Sequence, residues 1–82
     1  MSTLKCVLYT AQWCQPCKIF KQRYWQSLQE EFPHVQFQTI DVETEVVDID
    51  SIPTLRIWRD LKRPKTFRDV FSQIKEIRKY LK

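Results

Sequence analysis

The 82-residue sequence contains no glycine and no asparagine. Average usage of about 7% would give roughly six glycines in a chain of this length. Phosphate-binding loops of the Walker and dinucleotide types need glycine where the backbone approaches the phosphates, so both nucleotide-binding classes are excluded. A turn that requires a positive φ must use a less suitable residue, and Asp60 or Lys62 is predicted to take that position.

Histidine and cysteine are also scarce, with one His and three Cys. Three cysteines are too few for the disulfide framework of a small secreted domain, and in a reducing compartment a lone CxxC is typical of catalysis or metal binding. The start of the chain, "MSTLKCVLYT", has only a short apolar run, far below the roughly 20 residues of a membrane span. We therefore expect a cytoplasmic protein with no membrane segment.

The hydrophobic content is 43%, and it includes three Trp, three Tyr and five Phe. This is enough for a packed core, and a chain of this length supports one core only. We expect a single globular domain over residues 1–82.

Short apolar and alternating stretches predict four strands, at 4–9, 35–40, 54–58 and 65–70. A helix between the first two strands implies a right-handed parallel crossover, whereas the last two strands are close enough to form an antiparallel hairpin. The predicted fold class is therefore α/β, with a mixed four-stranded sheet and the order β-α-β-(short helix)-β-β-α.

Helical spacing covers residues 14–31 and the C-terminal stretch 69–82. The first helix has its apolar stripe at Cys17, Phe20, Tyr24 and Leu28, widened by Ile19 and Trp25. Asp69 is the predicted N-cap of the last helix. The acidic stretch 43–50 is too short for more than one or two helical turns.

The segment "TAQWCQPCKIF" places Cys14 and Cys17 at the start of the first helix. Three residues apart on one helical face, their Cα atoms can reach the roughly 5 to 6 Å that a disulfide needs. Three interpretations are open from this pattern alone: a redox couple, half of a zinc site completed by Cys6 and His34, or two buried thiols. The helix N-terminus favours the thiolate of Cys14, which supports redox chemistry.

Two segments together resemble the thioredoxin family. "WCQPCK" (13–18) is similar to the family's active-site motif, usually Trp-Cys-Gly-Pro-Cys-Lys, and "SIPT" (51–54) is similar to the segment that holds a cis proline opposite the two sulfurs. The resemblance extends from Leu4 to Leu81 and implies a minimal thioredoxin-like fold in a chain of glutaredoxin size.

This resemblance implies that Cys14 is the attacking nucleophile, Cys17 the resolving thiol, and the pair a redox-active disulfide. The substrate-binding residues that it implies are Trp13, Gln15, Pro16, Ile52 and Pro53. The backbone of Ile52, before a cis Pro53, would pair with an incoming chain as an added strand.

The sequence also departs from the family pattern. Leu8 stands where thioredoxins usually carry a buried aspartate beneath the cysteines, and the glycine of the later hairpin and the extra N-terminal strand and helix are absent. Glutaredoxins usually have a glycine pair and an acidic residue after the cis proline, and Pro53 is followed instead by "TLRIWRDLKRP". Thioredoxin-type chemistry is therefore the preferred interpretation, and a glutathione-dependent glutaredoxin is the nearest alternative.

We accordingly predict a thiol-disulfide oxidoreductase that reduces protein disulfides, with no bound cofactor or metal. An external thioredoxin-reductase-like enzyme or a glutathione system would recharge it. A non-catalytic thioredoxin-like binding or assembly module is the alternative from another class. Residues 30–50 are acidic and residues 56–82 basic, but no aromatic-basic motif accompanies the basic half, so nucleic acid is not an expected partner. A monomer is expected.

Overall fold

The structure, a computed structural model, describes residues 3–60 and 62–82. Its strands are β1 (Leu4–Thr10), β2 (Gln36–Asp41), β3 (Thr54–Arg59) and β4 (Lys65–Phe67). They form one mixed sheet in the order β2-β1-β3-β4, with β1 and β2 parallel and the other neighbours antiparallel. The predicted parallel pairing of the first two strands and the antiparallel pairing of the last two are confirmed. β4 is shorter than the predicted 65–70, because the chain bends away from β3 after Phe67.

The first helix has three consecutive segments: α1 (Gln15–Phe20), a π-helical turn (Lys21–Trp25) and α2 (Gln26–Glu31). The extent agrees with the prediction, and Cys14 is the N-cap rather than the first helical residue. The π-helical turn changes the apolar stripe, because residues five apart then share a face. Trp25 is therefore buried with Phe20, and Tyr24, predicted on the stripe, is only partly buried.

The last helix, α3 (Ile74–Leu81), begins later than predicted. A turn at 70–73 precedes it, in which the Gln73 N–H donates to the Asp69 carbonyl at 2.9 Å. Gln73 is the N-cap and makes no side-chain capping bond, so the prediction that Asp69 caps this helix is wrong. The turn lets Val70 enter the core, where it is fully buried.

The prediction of a short helix within residues 43–50 is also wrong. The carbonyl of Asp41 accepts from the N–H groups of Thr44 and Glu45 at 3.2 Å each, which closes a turn, and the chain then continues without regular structure. Val46 and Val47 are β-branched residues of modest helix propensity, and the stretch is too short to propagate a helix without packing.

The main core lies on one face of the sheet, because Leu4, Cys6 and Leu8 alternate along β1 and pack in one cluster with residues of both helices. The cluster comprises Leu4, Cys6, Leu8, Phe20, Trp25, Leu28, Phe32, Val35, Leu55, Ile57, Phe67, Val70, Ile77 and Leu81. The helices therefore share one face, and the other face carries Val7 and Tyr9, which are also buried.

The hairpin between β3 and β4 turns at Asp60, whose φ is 60°. This confirms the expectation that Asp60 or Lys62 takes the left-handed position that glycine would otherwise fill. The Asp60 carboxylate accepts from the Thr3 N–H at 2.6 Å, and the Asp60 N–H donates to the Thr3 carbonyl at 2.7 Å.

Candidate active site

The ends of β1 and β2 place the cysteine segment beside a second loop. Thr10 and Asp41 are partners at the ends of the two parallel strands, so the chain leaves both strands at the same edge of the sheet. The Val42 N–H donates to the Thr10 carbonyl at 3.0 Å. The residues that follow β1 lead to Cys14, and those that follow β2 form a loop over residues 42–53, called the flanking loop below.

Cys14 and Cys17 are joined in a disulfide, with their Cα atoms 5.3 Å apart, inside the predicted range. Cys14 Sγ accepts a hydrogen bond from the Cys17 N–H at 3.2 Å, so the sulfur itself caps the first turn of α1. Cys14 is 4% exposed and Cys17 is 0% exposed. Of the two sulfur-bearing residues, only Cys14 therefore retains contact with solvent.

The disulfide lies in a small apolar cluster of its own. Ala11 is buried beside it, and Val42 and Ile52 of the flanking loop pack against the three residues. This cluster contains no ionisable side chain besides the cysteines. Leu8 is fully buried in the main core, so the position that carries an aspartate in typical thioredoxins is apolar here.

The peptide bond between Ile52 and Pro53 is cis, as predicted. Pro53 is buried, and Ile52 is half-buried with its side chain against the cysteine cluster. The Thr54 hydroxyl donates to the Ser51 carbonyl at 2.7 Å, which ties the end of the flanking loop to the start of β3. Segments 13–18 and 51–54 therefore meet beside the Cys14–Cys17 disulfide.

Trp13 extends from this place into solvent, with 66% of its surface exposed. Its indole Nε1–H donates to the carboxylate of Glu43 in the flanking loop. Gln15 and Pro16 are also exposed beside the disulfide. An exposed aromatic side chain next to a disulfide can supply contact area to a partner protein.

The zinc interpretation of the cysteine pair finds no support in the positions of Cys6 and His34. Cys6 is fully buried in the main core, and burial raises the pKa of its thiol to about 12. His34 is exposed and contacts Phe32. Within residues 3–60 and 62–82, no three side chains of the His, Cys, Asp and Glu types gather as a metal site would require.

Three residues of the site were not predicted from the sequence. Ala11 and Val42 could have been found, since the ends of two parallel strands meet at one edge and the residues that follow them become neighbours. Glu43 had no such signal, because its contact with Trp13 crosses 30 positions of the chain.

A disulfide between CxxC residues at the start of a helix, beside a cis proline and on this mixed sheet, defines a dithiol-disulfide redox protein. Comparison with known proteins then gives the family. The family model described as Thioredoxin matches residues 2–82, and the chain belongs to the thioredoxin family.

Individual relatives agree with this assignment. The chain is 32% identical to a thioredoxin of Chlamydia trachomatis over 87 aligned residues, covering 96% of this chain and 84% of the relative. It is 30% identical to a thioredoxin of Ophiophagus hannah, covering 98% of this chain and 82% of that relative. The crystal structure of Fasciola hepatica thioredoxin superimposes with a TM-score of 0.83 at 26% identity, covering 98% of this chain and 82% of that one.

Family and site together establish the activity. The protein is a thiol-disulfide oxidoreductase that reduces protein disulfides through its CxxC pair. No helix among the described residues is both long enough and apolar enough to span a bilayer.

Proposed function

We propose that Cys14 and Cys17 reduce a substrate disulfide in two exchange steps. In the reduced protein, the Cys14 thiolate attacks one substrate sulfur, the substrate S–S bond breaks, and the departing substrate thiolate takes up a proton. Cys17 then loses its proton and attacks Cys14 Sγ, which releases the second substrate thiol and forms the Cys14–Cys17 disulfide. The substrate gains two electrons and two protons in all.

The observation that carries this assignment is the placement of the two sulfurs at the helix start. Cys14 is the more exposed residue, and its sulfur accepts the Cys17 N–H. A backbone donor and the positive end of a helix both favour a thiolate, so Cys14 is suited to attack. Cys17 is fully buried and three residues away, so it is suited to resolve the mixed disulfide from inside.

The exposed residues around Cys14 would receive the substrate. Trp13, Gln15 and Pro16 form one side of this surface, and the flanking loop forms the other. The backbone of Ile52 would pair with an extended substrate segment across the disulfide, with the cis Pro53 fixing the direction of the loop.

Each reaction leaves the protein oxidised, so turnover requires a two-electron donor. A thioredoxin-reductase-like flavoprotein that uses NADPH is the donor we propose, with a glutathione system as the alternative. We further propose a cytoplasmic monomer whose partners are disulfide-containing proteins rather than nucleic acid. Coupled assays with NADPH and each reductase, in which loss of NADPH absorbance is followed, identify the donor. If NADPH were consumed equally fast when the protein is left out, neither system would be its electron donor.

Insulin reduction by dithiothreitol tests the two cysteine roles. The wild-type protein should accelerate insulin precipitation, whereas Cys14→Ser should act no faster than dithiothreitol alone. In a separate incubation with insulin, after dithiothreitol has been removed, Cys17→Ser should accumulate a mixed disulfide with substrate, visible as an added mass on a non-reducing gel and lost on reduction. Cys6→Ala is the matched control and should keep wild-type activity, because Cys6 lies in the core.

Two outcomes would contradict this assignment. If Cys14→Ser reduced insulin as fast as wild type, Cys14 would not be the nucleophile. If the double variant Cys14→Ser, Cys17→Ser kept full biological activity, the protein would act through binding alone and the redox couple would be incidental.

A further inference from the structure

The flanking loop carries three residues of the active site, Val42, Ile52 and Pro53, but has no regular structure of its own. Val42 and Ile52, near its two ends, pack against the disulfide cluster, and its last residue is the cis Pro53. The middle of the loop, from Glu43 to Asp50, contains no helix or strand and is largely exposed. The position of Ile52 against the disulfide therefore depends on how the loop is held.

The ends of the loop are held by local hydrogen bonds. The Asp41 carboxylate accepts from the Glu43 N–H at 2.8 Å at one end, and the Thr54 hydroxyl donates to the Ser51 carbonyl at 2.7 Å at the other. These contacts span two or three residues, so neither fixes the path of the chain between them.

Two long-range contacts hold the middle of the loop: the Trp13 indole N–H donates to the carboxylate of Glu43 at its start, and an ion pair joins Asp48 to the sheet. The Arg56 guanidinium donates two hydrogen bonds to the Asp48 carboxylate, at 2.8 and 3.3 Å, one to each oxygen. Two hydrogen bonds fix the orientation of the Asp48 carboxylate relative to the Arg56 guanidinium, as well as the distance between them. A second pair, Asp50 with Arg68, is longer at 3.6 Å and joins two exposed side chains.

The side chain of Arg56 is held against the surface of the sheet. It lies opposite Val7 in the β1–β3 register, on the face away from the helices, and its guanidinium carbon stands 5.4 Å from the centre of the Tyr9 ring. Its side chain is only 16% exposed, whereas that of Asp48 is 81% exposed. The arginine is therefore part of the sheet surface, and the aspartate brings the loop to it.

We propose that Arg56 and Asp48 are positioning residues that hold the flanking loop so that Ile52 and Pro53 present a fixed edge to protein substrates. The hydrogen bonds of this pair join Arg56 to Asp48 and not to either cysteine, so its main effect falls on substrate binding rather than on the exchange step. This inference rests on the proposed role of Ile52 and Pro53 in binding substrate.

The test compares Asp48→Asn with Asp50→Asn. Both variants remove one negative charge from the same loop, but only the first removes the two-bond pair with Arg56. Initial rates are measured against insulin concentration, with dithiothreitol as reductant. Asp48→Asn should raise KM for insulin about three- to fivefold, the effect expected at the upper end for an exposed ion pair, with kcat unchanged. Asp50→Asn should leave KM within about 1.5-fold of wild type, as expected for a long surface pair.

A small disulfide provides the second readout. Hydroxyethyl disulfide is too small to span the cysteines and the loop, so its rate of reduction should be equal in wild type and both variants. Asp48→Glu restores the carboxylate and should recover at least half of the lost affinity for insulin. A purely structural defect would instead slow the reduction of both insulin and hydroxyethyl disulfide, and Asp48→Glu would not restore either rate.

Cleavage by a glutamyl endopeptidase tests loop fixation independently of redox activity. Glu43 and Glu45 lie in the loop, so Asp48→Asn should be cut there faster than Asp50→Asn under native conditions. An unchanged KM for insulin in Asp48→Asn, or equal shifts in the two variants, would overturn the inference. Failure of wild type to reduce insulin would instead overturn the proposed substrate class, and the cleavage rates would still decide whether the pair fixes the loop.

Discussion

Cys6 should remain unreactive toward thiol reagents for as long as the protein is folded. Its side chain is fully buried, and burial raises its pKa to about 12. At about pH 8 roughly one Cys6 in 10,000 is then a thiolate, compared with about one in four for an ordinary thiol of pKa 8.5. The higher pKa also raises intrinsic nucleophilicity about 25- to 55-fold, so ionisation alone slows the reaction roughly 40- to 100-fold.

Burial then adds to this effect, since a reagent reaches the thiol only when the core opens. The protein is reduced, freed of reductant and treated with iodoacetamide at about pH 8, and adducts are located by mass spectrometry. The native protein should carry one adduct, on Cys14, because Cys17 and Cys6 are both fully buried; adducts on these two residues should appear in guanidinium chloride. Cys6→Ala, the control, should carry one adduct when native and two in guanidinium chloride. An adduct on Cys6 of the native protein, formed within a few-fold of the rate at Cys14, would refute the core assignment of Cys6.

Two further predictions concern Leu8 and Asp48. Leu8→Asp should lower the free energy of unfolding by at least about 3 kcal/mol in urea titrations, because it removes a buried side chain and leaves an unpaired carboxyl group in the core; a loss below about 1 kcal/mol would show that water or a partner reaches this position. Arg56 lowers the pKa of Asp48 below its ordinary 3.8, so the pair stabilises the fold above that value and is lost as pH falls through the lowered pKa. The stability difference between wild type and Asp48→Asn should therefore be constant from about pH 7 to pH 5 and shrink only as pH falls below the ordinary 3.8 of the carboxyl group, and a difference that fell between pH 7 and pH 5 would contradict this.

The elements that the sequence could predict are those with a clear apolar pattern of their own. The strand around Leu8 was predicted from a short apolar run of strand length, and the helix that follows Cys14 from apolar residues three and four apart; both were confirmed. The positive φ of Asp60 agrees with the expectation drawn from the absence of glycine, since another residue has to take the left-handed position in the β3–β4 connection.

The π-helical turn and the start of α3 could not be predicted, because each depends on contacts distant in sequence. Tyr24 and Trp25 are both aromatic, and the sequence alone does not show which of them faces the core. Phe20 and Phe71 are far apart in the sequence, but their ring centres are 5.7 Å apart, and Phe71 packs against the main core. The turn that precedes α3 places Phe71 there, so the helix starts later than its N-cap signal indicated.

The CxxC pair and the flanking loop are held in place by different physical interactions. The cysteines pack with Ala11, Val42 and Ile52 in an apolar cluster at the helix start and the sheet edge. The flanking loop takes its place beside them through hydrogen bonds and one two-bond ion pair, because residues 43–50 form no helix that could pack against the sheet. If the loop binds substrate as proposed, substitutions in it change which disulfides are reduced while the CxxC pair stays intact, whereas substitutions in the core affect both together.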